Sequence, residues 1–258
     1  MAVKKMAFAG SWYPANASEC EHSIKGFLNE KQGPGSGEYL GGIVPHAGWY
    51  FSGSIACRVI ASLRSDSNVE TIVLFGGHMR ASERPIFLSS GSVETPFGDI
   101  EVDEALTSEL AGADDIVQLQ PERFPEENTL ELQYPFIKYF FPSAKIVAGL
   151  VPLSGAGISM GKTLGRLAGE RSGQVRVIGS TDMTHYGPNF GMVPVGTGEK
   201  AVTWVKEEND RRAIDALLDM EPEEIIRQGL GNQNMCCSGA AAAAVSACRE
   251  NGAVQGVE

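Results

Sequence analysis

The sequence predicts a single α/β domain over residues 1–258, with a central sheet, mostly parallel or mixed, that helices cover on both faces. Two observations predict this fold class. Several runs rich in β-branched residues are continuously apolar rather than alternating, which is typical of strands buried on both faces. Helical patterns lie between these runs, and such alternation is typical of one layered α/β domain. No internal repeat or interdomain linker is evident, so one domain is favoured over two.

The predicted strands and helices follow one another along the chain with recognisable boundaries. Ser18 and Glu21 form a capping-box pattern at the start of the first helix, and Ser52 is the expected cap of the second. Residues 29–40 are rich in Gly, Pro and Ser and predict a surface connection, while 80–105 predict short strands or a hairpin around the turn "TPFGD". The predicted strands are 39–44, 70–75, 144–151 and 174–179. The predicted helices are 18–30, 53–65, 129–140, 157–170, 200–219 and 238–250.

The composition limits the kinds of partner and compartment. The formal net charge is −11 and the isoelectric point about 4.9, which disfavours nucleic acids and anionic membrane surfaces, because both attract a surplus of Lys and Arg. The N-terminal apolar run is too short for a secretory signal, and no stretch approaches the ~20 apolar residues of a membrane span. Five cysteines, an odd number, do not form a disulfide framework. We therefore expect a cytoplasmic protein.

Three of the four histidines follow predicted strands. His46 comes two residues after the first strand run, His78 three residues after the second, and His185 follows the run 174–179 through the loop "STDMTHYG". The loops at the carboxyl ends of strands converge in open α/β sheets, and neutral imidazole is the commonest metal-binding side chain. The alternative for each of them is a hydrogen-bonded structural histidine. His22 lies inside a predicted helix and is interpreted as a surface side chain.

A cysteine pair, Cys236 and Cys237, stands directly before the predicted helix 238–250. A thiol near a helix N-terminus has a lowered pKa, which favours the thiolate as nucleophile or metal ligand. Two imidazoles and a thiolate suit Fe, Cu or Zn rather than Mg or Ca. The alternative is that both cysteines are small buried hydrophobic residues, the commoner fate of cysteine.

Carboxylates near these residues have several interpretations. Asp182 comes three residues before His185, so it could orient an imidazole, complete a metal triad with two histidines, or cap the following turn. Glu127 and Glu131 are four residues apart and share a face if this segment is helical. That face could be solvated, or its first turn could point into the site.

Seven motifs taken together resemble one known family. The chain contains, in order, "AGSWYPANASE", "VPHAGWYFSG", "LFGGHM", "TPFGD", "ENTLELQYPF", "STDMTHYG" and "CCSGAAAA". This order is similar to that of the Memo-like family, whose prokaryotic members are often labelled AmmeMemoRadiSam system protein B. The resemblance runs from residue 8 to about 245. It implies a three-layer α/β domain similar to the class III extradiol ring-cleaving dioxygenases.

The resemblance also implies roles for particular residues. His46 and His78 match metal ligands, and Cys236 matches the family's cysteine ligand. His185, with Asp182 as its neighbour, matches a pocket histidine that is either an acid/base group or a further ligand. Where the family usually has E-H-S-[LI]-E this chain has "ENTLE", so Asn128 replaces a histidine and cannot act as a general acid or base. Cys237 stands where the family usually has a small residue. The residues expected to line the pocket are Trp12, Trp49, Tyr50, Glu127, Asn128 and Cys237.

Three functions remain open from the sequence. The first is redox or oxygen chemistry at a metal held by His46, His78 and Cys236, with Fe(II) expected first and Cu or Zn as alternatives. The second is a binding module that docks a small molecule or peptide in the pocket, since the resemblance implies a role in signalling through phosphotyrosine-containing partners. The third is a hydrolase with a cysteine nucleophile and His185 as base. A homo-oligomer is compatible with each of them.

Overall fold

The computed structural model describes residues 2–30, 37–64, 68–171 and 173–258. The strands are β1 (Val3–Lys4), β2 (Gly41–Val44), β3 (Thr71–Gly76), β4 (Ile86–Leu88), β5 (Ser92–Val93), β6 (Ile100–Glu101), β7 (Val117–Leu119), β8 (Lys145–Leu150) and β9 (Val175–Ser180). The helices are α1 (Ala17–Glu30), α2 (Ser54–Ser62), α3 (Glu104–Ala113), α4 (Asn128–Glu131), α5 (Tyr134–Phe140), α6 (Gly155–Gly169), α7 (Glu199–Trp204), α8 (Asp210–Leu218), α9 (Pro222–Asn232) and α10 (Ser238–Glu250).

The main sheet has six strands in the order β2-β9-β3-β8-β4-β7. Neighbouring strands run parallel except β4 and β8, which are antiparallel. The four predicted apolar runs form β2, β3, β8 and β9, the four adjacent strands at one side of this order. The prediction of a mixed, mostly parallel sheet in a single α/β domain is therefore confirmed.

Helices cover both faces of the main sheet, and the side chains of β3 show how. Ile72 and Leu74 pack in the hydrophobic cluster that includes residues of α1, α2 and α5. Val73 and Phe75, which alternate with them, pack in the cluster formed with α6, α9 and α10. Because successive side chains of a strand point to opposite faces, a continuously apolar strand requires a core on each side. This is the physical basis of the three layers.

A second, smaller sheet confirms the predicted hairpin. Strands β5 and β6 are antiparallel and enclose the turn "TPFGD", in which the Thr95 hydroxyl donates to the Gly98 carbonyl at 2.6 Å. Strand β1 pairs with β5 in parallel, so the N-terminus joins this sheet. Glu131 fixes the segment after β1, residues 7–13. Its carboxylate accepts hydrogen bonds from the backbone N–H groups of Ala7 and Phe8 and from the Tyr13 hydroxyl.

Two predicted helix starts are wrong. Helix α1 begins at Ala17, and Asn16 caps it by accepting a hydrogen bond from the Glu19 N–H, so Ser18 lies inside the helix. Ser52 lies in a π-helical turn, Trp49–Gly53, and its hydroxyl donates to the Ala47 carbonyl, so it does not cap α2. Residues 31–36 of the predicted surface connection and residue 65 of the second predicted helix lie outside the described residues.

Two other predicted helices are interrupted. The segment 129–140 divides into α4 and α5, with Pro135 in the first turn of α5, where a proline is tolerated because it lacks an N–H. The segment 200–219 is helical but contains a π-helical turn, Val205–Asn209, between α7 and α8. Among the described helices, none has the length and apolar character that crossing a membrane requires.

Candidate metal centre

The ends of three adjacent strands bring the predicted site residues together. Strands β2, β9 and β3 are neighbours and parallel, and they end at Val44, Ser180 and Gly76. His46, Asp182 and His78 each follow one of these ends by two residues. Since the carboxyl ends of parallel strands lie at the same edge of a sheet, the three loops meet there. The segment before α10 adds Cys236, whose N–H donates to the Asp182 carbonyl at 3.1 Å.

Four side chains form a compact cluster at this edge. One donor atom from each of His46, His78, Cys236 and Cys237 lies within 4.8 Å of the other three. The Cys236 Sγ is 3.2 Å from the His46 Nε2 and 3.7 Å from the Cys237 Sγ. The two imidazole rings meet edge to face, with their centroids 5.2 Å apart.

His46 is held on every side except the one that faces the cluster. Its ring is 2% exposed, and its Nδ1 lies 3.0 Å from the Ser180 hydroxyl, which leaves Nε2 toward Cys236. Its backbone N–H donates to the Asp182 Oδ1 at 2.7 Å, and its carbonyl accepts from the Asn128 side chain at 3.2 Å. The residue that replaces the family's usual histidine thus fixes the His46 loop instead.

His78 is oriented by Glu127. The carboxylate lies 3.2 Å from the His78 Nδ1 and also caps α4 by accepting from the Thr129 N–H. Hydrogen bonds with Cys236 and with Glu127 raise the pKa of His78 to about 10. Burial would raise the pKa of Glu127, but its hydrogen bond and attraction to His78 and its bonds from Thr129 lower it overall. Glu127 therefore contacts the cluster from outside, as a carboxylate behind a ligand histidine does.

Glycines allow the His78 loop to pass close to α4. A Cβ on Gly76 would lie 2.3 Å from the Thr129 Oγ1, and Gly77 has a φ of +100°, where other residues are strained. The Gly77 N–H donates to the same Thr129 hydroxyl at 2.8 Å. The chain thus turns away from the sheet at Gly77, directly after β3, and the next side chain, that of His78, lies in the cluster.

The two cysteines have opposite protonation preferences. The hydrogen bond from Cys237 and those from the two histidines lower the pKa of Cys236 far below its usual range, against the effect of burial. The Asp182 N–H also points at the Cys236 sulfur, at 3.3 Å. The same hydrogen bond, together with burial, raises the pKa of Cys237 well above its usual range. Negative charge in this pair is therefore favoured on the Cys236 sulfur over the Cys237 sulfur.

Asp182 and His185 lie at the edge of the cluster. The Asp182 Oδ2 is 3.6 Å from the His185 Nε2 and 3.8 Å from the His46 Nε2. The His185 ring stacks on Phe190 with centroids 5.0 Å apart, and its side chain is 42% exposed. His185 is therefore accessible to solvent and connected to the cluster through one carboxylate.

The three predicted pocket aromatics differ in their burial. Trp49 is buried in the core, where it stacks on Phe136 at 4.1 Å and its indole N–H donates to the Leu132 carbonyl. An aromatic ring of this size gains more from burial than from lining an open site, and its polar nitrogen is satisfied there. Tyr50 is 92% exposed and Trp12 is 41% exposed.

Sequence reasoning missed several residues that hold the cluster in place. Ser180 contacts His46, and Thr181 contacts both cysteines. Thr129 accepts a hydrogen bond from the Gly77 N–H. Gln133 donates to the Pro45 carbonyl at 2.9 Å. The only signal in the sequence is that Ser180 and Thr181 stand between a strand and Asp182. Contacts of this kind depend on how distant loops meet.

The donor set fits a metal ion. Two imidazole nitrogens and two sulfurs are the ligands that Zn, Fe and Cu accept, and hard ions such as Mg and Ca avoid. Two sulfurs bound at ordinary lengths to one tetrahedral ion lie about 3.8 Å apart, close to the 3.7 Å between Cys236 and Cys237. The His/Cys cluster could therefore bind a metal ion.

Comparisons with known proteins agree with the resemblance of the motifs. The family model described as Memo-like protein matches residues 4–256. A MEMO1 family protein of Thermococcus onnurineus is 31% identical over 98% of this chain and 90% of its own length. One of Thermococcus kodakarensis is 33% identical over 98% of this chain and 90% of its own length. One of Methanococcoides burtonii is 30% identical, over 97% and 89% respectively. The chain therefore belongs to the Memo-like protein family.

Proposed function

We propose that this protein binds a metal ion, Fe(II) in the first place with Cu or Zn as alternatives, and that it uses Fe or Cu, the redox-active ions of the three, in redox or oxygen chemistry. One observation carries this proposal: the Cys236 Sγ lies 3.2 Å from the His46 Nε2, and His78 lies beside both at the carboxyl edge of the sheet. Thiolate sulfur and imidazole nitrogen are ligands that Fe, Cu and Zn accept.

Each residue has a part in this function. His46, His78 and Cys236 would hold the ion, while Glu127 keeps the His78 ring oriented through its Nδ1. When bound, Fe(II) supplies a redox couple and coordination positions that the protein leaves open. His185, exposed at the edge and 3.6 Å from Asp182, is the group that would move a proton to or from a substrate. Asn128 has no titratable group and so cannot act as an acid or base; its side-chain amide donates to the His46 carbonyl and holds it in place.

The test is elemental analysis of protein purified anaerobically without a metal-affinity tag. We expect near-stoichiometric iron or copper in the unaltered protein and little in His46→Ala and Cys236→Ala. His22→Ala is the matched control, because His22 is exposed on α1. Absence of metal after purification and after titration with Fe(II), Cu(I) and Zn(II) would overturn the proposal. Confirmed metal would justify oxygen-uptake assays with candidate substrates.

A second candidate function is a docking cleft for a small molecule or peptide without turnover. The observation in its favour is Asn128, whose side chain is engaged with the His46 carbonyl and offers no acid or base. Binding of such a partner would persist after the metal is removed, whereas redox activity would end. The hydrolase alternative with His185 as base gains no support, because the imidazoles beside the Cys236 sulfur are those of His46 and His78.

A further inference from the structure

Granted the metal-binding function proposed above, on which this inference rests, we propose that Cys237 is a fourth ligand. The donor set is then two histidines and two cysteines, which suits a thiophilic ion such as Fe(II), Zn(II) or Cu(I).

The backbone around the two cysteines brings both sulfurs to one side. In an extended segment, successive side chains point in opposite directions. Here Cys237 has φ −125° and ψ 48°, and its N–H is tied to the Thr181 Oγ1 at 3.0 Å. The N–H of Cys236 is tied to the Asp182 carbonyl. Both cysteines are thus anchored to the end of β9, and their sulfurs lie 3.7 Å apart.

The Cys237 sulfur faces the same cluster as the other three donor atoms. Helix α10 begins at the next residue, so Cys237 stands at the point where the chain enters the helix. The Cys237 sulfur lies within 4.8 Å of a ring nitrogen on each histidine as well as of Cys236. A ligand at this point completes a four-donor set, which is the usual set for Zn(II) held by protein side chains.

The first experiment titrates the metal-free, full-length protein with Co(II) and follows the sulfur-to-cobalt charge-transfer absorption. This absorption grows with the number of bound thiolates, so we expect Cys237→Ser to bind Co(II) with about half the intensity of the unaltered protein. Cys57→Ala is the control, because Cys57 is a buried cysteine on α2 in the other hydrophobic cluster.

Full charge-transfer intensity in Cys237→Ser would overturn the role of Cys237 and leave the proposed function intact. Failure of the unaltered protein to bind Co(II), Zn(II), Fe(II) or Cu(I) would overturn both. If Cys237→Ser misfolds, a second measurement on the unaltered protein replaces it. X-ray absorption of the Zn(II)-loaded protein counts the sulfur atoms bound to the zinc at about 2.3 Å. Two sulfurs support the inference, and one sulfur overturns it.

Discussion

Cys236 is the residue whose chemistry depends most on its neighbours. At pH values below its pKa of ~8.5, a free thiol reacts about tenfold faster for each unit by which the pH rises, because only the thiolate is nucleophilic. In the metal-free protein, hydrogen bonds from Cys237, His46 and His78 lower the pKa of Cys236 far below that value. The thiolate fraction is then complete throughout the neutral range. We expect the rate of Cys236 alkylation by iodoacetamide, followed by mass spectrometry, to be almost constant from about pH 6 to 8.

Other cysteines provide the comparison for that measurement. Burial raises the pKa of Cys20, Cys57 and Cys248 to about 12, so they should stay unmodified over the same range. Cys236→Ser should remove the rapid phase altogether. A rate at Cys236 that climbs about tenfold per pH unit would show an ordinary thiol and contradict the prediction.

Glu127 is expected to affect metal binding without contacting the ion. Its carboxylate lies 3.2 Å from the His78 Nδ1, and losing such a partner typically lowers metal affinity by about 10–100-fold. We therefore expect Glu127→Gln to weaken Zn(II) or Co(II) binding by that factor in a competition titration. Glu126→Gln is the matched control, because the adjacent Glu126 is exposed. Equal affinities for the two variants would mean that Glu127 serves only as the cap of α4.

The sequence reveals the candidate metal ligands more readily than the residues whose contacts hold those ligands in position. His46 and His78 stand directly after apolar strand runs, so their place at the sheet edge follows from the strand pattern alone. The contacts of Asn128 with the His46 carbonyl, 82 positions away, and of Cys236 with the His46 ring, 190 positions away, depend on the packing of the whole chain. No local pattern encodes such pairs.

At the scale of the elements, long apolar segments are predictable and short or interrupted ones are not. Strand β1 has two residues and β7 has three, too few for any periodicity. Helices α3 and α9 are missing from the prediction although the sequence holds signals for both. Asp103 caps α3 by accepting from the Leu106 N–H, and Pro222 with two acidic residues opens α9. The π-helical turns, Trp49–Gly53 and Val205–Asn209, have no comparable signal in the sequence.

The contact between α6 and α10 depends on small residues on both helices. A Cβ on Gly161 would lie 2.4 Å from the Ala243 carbonyl oxygen, so α10 would have to shift. We expect Gly161→Ala to reduce the free energy of unfolding by about 1–3 kcal/mol in urea denaturation. Gly155→Ala, on the same helix with nothing within 4 Å of the added carbon, should be close to neutral or slightly stabilising. Equal stability of the two variants would show that the helices can separate without cost.

At the scale of the whole molecule, the cluster joins segments that are far apart in sequence. His46 follows β2, His78 follows β3, and the cysteines precede α10, so one bound ion would link the two hydrophobic clusters on opposite faces of the sheet. A ligand that binds only the folded state stabilises it through mass action, whatever its chemistry. Metal binding should therefore be visible in the thermal unfolding of the entire chain.

The expected size of that effect can be stated. An ion present at a hundred times its dissociation constant adds about 2.7 kcal/mol to the stability, which for a chain of this size raises the unfolding midpoint by roughly 5–10 °C. The measurement is differential scanning calorimetry of metal-free protein with and without Zn(II). His46→Ala combined with Cys236→Ala should show no shift, while His22→Ala should show the full one. An equal shift in the double variant would place the binding elsewhere in the molecule, since that variant lacks two of the donors that meet at the sheet edge.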